Sequence, residues 1–266
     1  MTISIAAYNV EKYLDKCLNS LNDDRFKNDI EVLVIDDGSH DNTGKIAKRY
    51  QQQVPETFHY IPKKNGGHGS TINKGIELAT GKYFRVIDGD DWVDSDNFFK
   101  YIQKLKKLDS DMILTQHKEI SPNKENIISL IEKMSDGREY SLDDDIDIQR
   151  ITLHMVTIRT KLLKENNVKV TENCFYVDVE YVIWSIFLAQ TVVYFRIPVY
   201  MYRVGNINQS VSKKNMLRNV KMQEIVSYKL INLYKQFISS GKLSAEKGGV
   251  IYRTVKKSVG STIRTY

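Results

Sequence analysis

The chain has 266 residues, 41% of them apolar, with 14 glycines and 4 prolines. This is enough for one large core, and it excludes a collagen-like or globally disordered chain. Cys17 and Cys174 stand in no disulfide or metal-binding pattern and read as buried thiols in a reducing compartment. No apolar run approaches the roughly 20 residues of a membrane span. The opening MTISIAAYNVEKYL reads as a strand and a charged helix rather than a signal peptide, so a cytoplasmic location is expected.

The elements follow in order. Thr2–Ala7 suits a buried strand, and Glu11–Leu21 places Tyr13, Leu14, Cys17, Leu18 and Leu21 on one helical stripe. Glu31–Ile35 (EVLVI) is a nearly continuous apolar strand, as in a parallel sheet covered on both faces. It runs into DDGSHDNT, where Ser39, Asp41 and Asn42 can start a helix towards Tyr50. A short strand over Phe58–Pro62, a glycine turn over Asn65–Gly69 and a helix over Ser70–Ala79 come next. Tyr83–Ile87 is a strand ending in DGDD, Asp94–Leu108 a helix and Asp111–Gln116 a strand. This alternation predicts an α/β fold. Past residue 120 the pattern loosens. Asp143 to Asp147 reads as an exposed acidic stretch and Asp178–Leu188 as a helix. Val192–Tyr202 is β-rich, with Pro198 arguing against a central position in a sheet. Met216–Phe237 and Ala245–Ile263 read as helices.

The net charge of +6 is unevenly spread. Residues 201–266 hold 13 basic and two acidic side chains, and the preceding 200 hold 26 and 31. If residues 245–263 are helical, Val250, Ile251, Thr254, Val255, Ser258 and Val259 form an apolar face. Lys247, Arg253, Lys256, Lys257 and Arg264 flank or oppose it. The tail reads either as a lysine-rich solvated surface packed on the domain or as a face for an anionic membrane or acceptor.

Asp36 and Asp37 follow one predicted strand, and Asp88, Asp90 and Asp91 another. Ligands of open α/β sheets bind beyond the carboxyl ends of the strands. Carboxylates gathered there repel one another unless a cation or hydrogen-bond donors compensate them. Asp88 and Asp90 flank Gly89, which permits a turn tight enough for both to converge on a hard divalent ion. D-x-D alone is weak, since an acidic loop can simply cap a helix. A second acidic strand end about 50 residues earlier strengthens it.

These segments, in this order, resemble the inverting glycosyltransferases of family 2. AAYNVEKYLDKCLNSL resembles the family's opening strand and helix, with Ala7 at or beside the usual proline. IEVLVIDDGSHDNT matches the DDGSxDxT segment. KKNGGHGSTINKGIELATGKYFRVIDGDDWV resembles the asparagine-glycine loop and the D-x-D strand end. YVDVEYV resembles the acidic motif that holds the catalytic base, and PVYMYRVGNINQSVS the closing tyrosine-arginine segment of cell-envelope members. The matches cover about residues 1–212. Thr71-Ile72-Asn73 lacks the arginine that many relatives carry, a charge that Lys74 or His68 can partly replace. Neither the Q-x-x-R-W motif nor the membrane helices of processive members are present.

The resemblance implies a GT-A type nucleotide-binding fold with a mostly parallel mixed central sheet and a C-terminal helical extension. Residues 1–117 are expected to bind the nucleotide sugar, residues 118–212 the acceptor, and residues 213–266 to form the basic helical extension. It also implies a UDP-linked donor, Mn2+ or Mg2+, and non-processive transfer to a glycan or lipid-linked acceptor, without nucleic acid. Tyr8 would stack beside the base, unless it is a core aromatic. Asp37 would accept a hydrogen bond from the base, and Glu11 and Lys64 would lie near the nucleoside. Asp90, with Asp88 near the ribose or metal, would ligate the ion. His68 would reach the donor and Arg203 the diphosphate, though each also reads as an incidental loop or surface residue. Asp178 would be the general base, with Glu180 its local rival: on a helix the two point in different directions, so one alone should face the site. His154 is a candidate for facing the acceptor. The competing readings are a sugar-phosphate nucleotidylyltransferase, whose usual glycine-rich opening loop AAYNVEKYL lacks, and a basic surface-binding module.

Overall fold

The computed structural model describes residues 1–205 and 213–263. The end of the expected closing segment, residues 206–212, and Arg264 lie outside them. The first half runs β1 (Thr2–Ala7), α1 (Glu11–Leu21), β2 (Glu31–Asp36), α2 (Thr43–Gln53), β3 (Phe58–Pro62), α3 (His68–Leu78), β4 (Tyr83–Asp88), β5 (Trp92–Val93) and α4 (Ser95–Leu105). The second runs β6 (Met112–Ser121), β7 (Lys124–Ile128), β8 (Glu139–Ser141), β9 (Val156–Arg159), α5 (Thr160–Glu165), α6 (Asp178–Leu188) and β10 (Thr191–Arg203). Three helices follow: α7 (Lys213–Arg218), α8 (Val220–Ser239) and α9 (Ala245–Ile263).

The main path of the sheet is β3-β2-β1-β4-β9-β6-β10-β5, with β7 beside β6 and β8 beside β10. Strands β3, β2, β1 and β4 are mutually parallel. The four-residue β9 then runs antiparallel to both β4 and β6, and β6 is parallel to β10. The expected mixed, mostly parallel sheet is therefore present. Alternating side chains bury two cores. Ile3, Ile5, Val32, Val34 and Ile87 pack with Leu14, Leu18 and Phe98 on one face. Phe84, Val86, Met112 and Leu114 pack with Ile72, Tyr181 and Leu230 on the other. Sequence alternation on a pleated strand thus produces a layer of helices on each side.

Two expectations need correction, and one alternative gains support. Pro198 does lie within the sheet, in β10. It sits between two register shifts against β6, and the partners on the other side, β8 and β5, pair only with residues 191–193 and 200–201. A bulge removes the ladder bond that proline cannot donate. The predicted helix over Met216–Phe237 is two helices, interrupted at Asn219. The apolar face of α9 is core: Val250, Ile251, Thr254 and Val255 are buried, together with Lys247, which reaches Gln190 Oε1 at 3.4 Å. Those side chains pack on the domain, and Ser258 and Val259 at the end of the same face are half-buried. The exposed apolar side chains of this region are Leu217, Ile225, Tyr228, Ile238 and Tyr252.

Candidate active site

The parallel register sets the site. Ala7 pairs with Asp36 and Ala6 with Asp88, so the carboxylates at the ends of β2 and β4 reach one edge of the sheet. The loop after β1 crosses this edge with Asn9 in the left-handed region at φ 53°, which asparagine tolerates. It is laced to the start of α2. Val10 N donates to Thr43 Oγ1 at 2.9 Å, Glu11 N to Asp41 Oδ2 at 3.0 Å, and Asn42 N and Nδ2 to Glu11 Oε2 at 2.9 and 2.8 Å. Glu11 therefore ties two loops together. Tyr8 is 48% exposed at the same edge and is not a core aromatic.

Asp37 is buried and shapes the glycine loop. Its carboxylate accepts from Lys63 Nζ at 2.6 Å, Gly66 N at 2.9 Å, Gly67 N at 2.8 Å and Ser70 Oγ at 3.2 Å. With four donors and 2% exposure, it is turned into the loop. The lysine that engages it is Lys63, whereas Lys64 is exposed. Gly67 makes the turn at φ 79°, and at Gly69 a Cβ would lie 1.9 Å from the Thr171 carbonyl oxygen. No side chain fits at position 69 without moving backbone. The loop is thus held between Asp37 and the segment before α6.

His68, the first residue of α3, places Nε2 2.9 Å from Asp88 Oδ1. Burial opposes a charge on the imidazole, but Asp88, with Asp178 and Asp90, outweighs it and raises the His68 pKa. In turn, burial would raise Asp88, and His68 outweighs it and holds that carboxyl below its usual range. Lys74 instead pairs with Glu77 at 2.6 Å, so of the two expected substitutes for the missing arginine, His68 is the one at the site.

The two aspartates beside Asp88 differ. Burial first, and Asp88 second, push Asp90 up to about 6. Among the described residues no other residue is seen to donate to its carboxylate. Asp91 is 1% exposed and is raised well above the ordinary carboxylate value by burial and by Asp90 and Asp88. Its oxygens accept from Tyr200 OH at 2.6 Å and Arg203 N at 2.7 Å. Arg203 Nε donates to the Asp90 carbonyl at 3.0 Å, and its guanidinium lies over the Tyr13 and Trp92 rings.

Among the described residues, Asp88, Asp91 and His154 form a group that could hold a metal ion, with ligand atoms within 4.8 Å of one another. It shares Asp88 with the expected pair, replaces Asp90 by Asp91 and adds His154. The sequence marks His154 for the acceptor side and gives little sign of it as a metal ligand. It is positioned by Arg85, wholly buried in β4, which donates to the His154 carbonyl and to Thr157 Oγ1 (3.1 Å) and Thr115 Oγ1 (3.2 Å). The imidazole stacks on Tyr202 with centroids 4.2 Å apart. Burial lowers it to about 4 and its neighbour His117 to about 3.

Asp178 begins α6 and faces the same space, where burial raises its carboxyl and His68 partly opposes the rise. Glu180 is fully buried and accepts from Thr171 N at 3.0 Å. As helical geometry requires, only one of the two opens to the site. Asp178 and His154 also line a cavity of about 650 Å3 that extends towards the C-terminal helices. Tyr176, at φ 66°, lines it too. Such a conformation is rare for an aromatic residue, and strain of this kind gathers at functional sites.

A family model described as Glycosyl transferase family 2 matches residues 2–166. "Glycosyltransferase GlyA" of Streptococcus pneumoniae is 36% identical over 107 residues, which are 40% of this chain and 14% of that protein. "Minor teichoic acid biosynthesis protein GgaB" of Bacillus subtilis is 28% identical over 189 residues, 65% of this chain and 19% of that protein. The chain thus spans about a seventh to a fifth of the length of these relatives. Among solved structures, S. aureus TarS 1-349 in complex with UDP-GlcNAc superposes with a TM-score of 0.68 at 20% identity, covering 87% of this chain and 66% of that one. Mannosyltransferase PcManGT from Pyrobaculum calidifontis, in complex with GDP-Man and Mn2+, gives 0.59 at 13% identity, covering 99% and 73%. These likenesses show a shared fold.

Proposed function

Because the chain belongs to glycosyl transferase family 2, whose model matches residues 2–166, we propose that it moves one sugar per encounter, with inversion, from a nucleotide sugar to an acceptor hydroxyl. The donor is UDP-linked and the acceptor is a glycan or lipid-linked glycan. The observation that carries this reading is the meeting of Asp88 and Asp90 with Asp178 around His68, at the carboxyl edge of a parallel sheet. The family match leaves the nucleotidylyltransferase and binding-module readings without a supporting observation.

The carboxylates suit a hard divalent cation, Mn2+ or Mg2+. Crowding that pushes Asp90 up to about 6 is what a cation relieves. When bound, such an ion acts as a Lewis acid towards a leaving diphosphate and orients it. We assign Asp88 and Asp90 as its ligands. Asp91 reads as a positioning residue, because its oxygens already hold Tyr200 and Arg203. Arg203 offers the diphosphate a charge-assisted contact. Tyr8 offers its exposed ring to the base, Glu11 and Lys64 lie on the nucleoside side, and Asp37 acts through the glycine loop. Asp178 takes the proton of the attacking hydroxyl. Release of nucleoside diphosphate from a panel of nucleotide sugars, dependent on a divalent ion, tests the reading.

No helix among the described residues is long and apolar enough to cross a membrane. Attraction to an anionic lipid surface is part of the proposal, supported by exposed Lys221, Lys229 and Lys235 on α8 near Ile225 and Tyr228. Each lysine near such a surface contributes about 1 kcal/mol, and salt screens it. The protein is expected to co-sediment with anionic vesicles at low salt and to release at high salt. A Lys221→Glu, Lys229→Glu, Lys235→Glu variant should bind less; equal binding by that variant removes the membrane role.

A further inference from the structure

The cavity at Asp178 is not a sugar-shaped site alone. Its volume of about 650 Å3 falls in the range of small-molecule pockets, roughly 300–1,000 Å3. Much of its wall is aliphatic: Ile128 and Leu130 from the β7 side, Val179 and Val182 from α6, Met216 from α7 and Val226 from α8. A sugar presents hydroxyls in most directions, and each one desolvated against such a wall without a partner is costly. An apolar chain there gains from leaving water instead.

The charged groups around the cavity are Asp178 and Glu119, which are acidic, and Arg150 and Lys257, which are basic; His117 and His154 complete the set. Arg150 and Lys257 are exposed, and among the described residues neither side chain makes a hydrogen bond or an ion pair. Lys257 stands on α9 at the border of the face that Val250, Ile251 and Val255 lock into the core. Helices α8 and α9 are therefore held in place as a wall of this cavity, and that wall carries one of its cations.

We infer that the C-terminal helices complete the acceptor site, and that the acceptor is a single-chain amphiphile. Its apolar chain lies among Val182, Met216 and Val226, and its phosphate is met by Arg150 and Lys257. A hydroxyl carried beyond the phosphate attacks the donor sugar as Asp178 takes its proton and the nucleoside diphosphate leaves. The inference rests on the transfer reaction proposed above. It gives Lys257 of the basic tail a specific ligand beside the diffuse attraction proposed for α8. Phosphate recognition by an arginine and a lysine uses the strongest class of hydrogen bond available to side chains.

The test uses the full chain and n-decyl phosphate below its micelle concentration, with binding followed by calorimetry. Decyl glucoside, inorganic phosphate and dihexanoyl phosphatidate serve as comparators. Decyl phosphate is expected to bind at least tenfold tighter than each of the three. Lys257→Ala combined with Arg150→Ala should reduce its affinity to that of decyl glucoside. Val226→Trp should block both single-chain amphiphiles. Because Val226 is buried and its replacement can disturb folding, the exposed pair Arg150 and Lys257 is the deciding variant. Equal binding of charged and neutral amphiphiles, or no effect of the double variant, overturns the inference, as does a preference for the two-chain phosphatidate. Divalent-dependent hydrolysis of the donor in water separates the two readings. Donor turnover without decyl phosphate binding overturns this inference alone. Decyl phosphate binding without any donor turnover overturns the transfer reaction and leaves the amphiphile site.

Discussion

Asp178→Asn is expected to slow sugar transfer roughly 10²–10⁴-fold while leaving donor affinity nearly unchanged. The carboxyl sits at the first position of α6, within electrostatic reach of the His68 imidazole and the carboxylate of Asp88. Burial raises its pKa, so its carboxylate is a stronger base than a solvated aspartate. Asparagine keeps the size and removes the proton acceptor. Glu180→Gln serves as the control. Glu180 is turned inward, with one oxygen on Thr171 N and the other, Oε1, buried without a partner. Its replacement should leave the rate close to wild type. Comparison of kcat with donor affinity for both variants decides the matter. A large rate loss in Glu180→Gln with none in Asp178→Asn reverses the assignment.

The second large effect is expected at the end of β4. Asp90→Asn should remove most transfer and weaken divalent-dependent nucleotide binding, and excess chelator should have the same result on the wild type. The assignment of Asp90 rather than Asp91 follows from hydrogen bonding. An ion drawing on Asp91 has to compete with Tyr200 OH at 2.6 Å and Arg203 N at 2.7 Å. Those bonds are short and buried, and losing them leaves polar groups without partners. Asp91→Asn should therefore lower stability and displace Arg203, with the divalent dependence retained. Titration of Mn2+ into each variant in the presence of nucleotide distinguishes them. Metal binding that survives in Asp90→Asn and vanishes in Asp91→Asn assigns the ion to Asp88, Asp91 and His154 instead.

Much of the first half was legible because its signals are local. The runs EVLVI and YFRVI are apolar enough for strands buried on both faces, and β2 and β4 stand where those runs lie. The carboxylates directly after them had to fall at one sheet edge once the strands were parallel. The second half was harder. β7 has a mostly exposed pattern, and β9 is four residues long, too short for a periodic signal. Arg85 is the clearest loss. A charged residue inside YFRVI marks an unusual core position, but its partners Thr115 and Thr157 lie 30 and 72 residues away. Only the folded sheet brings them together, and with them His154. Asp37 shows the reverse problem. Its motif was plain, while its four donors come from a loop whose path local sequence does not dictate. The apolar face of α9 was correctly traced along the helix while its environment stayed open, because amphipathicity specifies a buried face without saying what covers it.

The central claim is inverting transfer from a nucleotide sugar. Its most direct measurement is proton NMR of the reaction with a panel of UDP- and GDP-sugars, Mn2+ and a panel of glycan and amphiphilic phosphate acceptors. At least one UDP-sugar is expected to be consumed only when Mn2+ is present. An α-linked donor is expected to give a β-linked product, with nucleoside diphosphate released in equal amount. A product that keeps the donor's anomeric configuration, or consumption that continues in excess chelator, contradicts that claim.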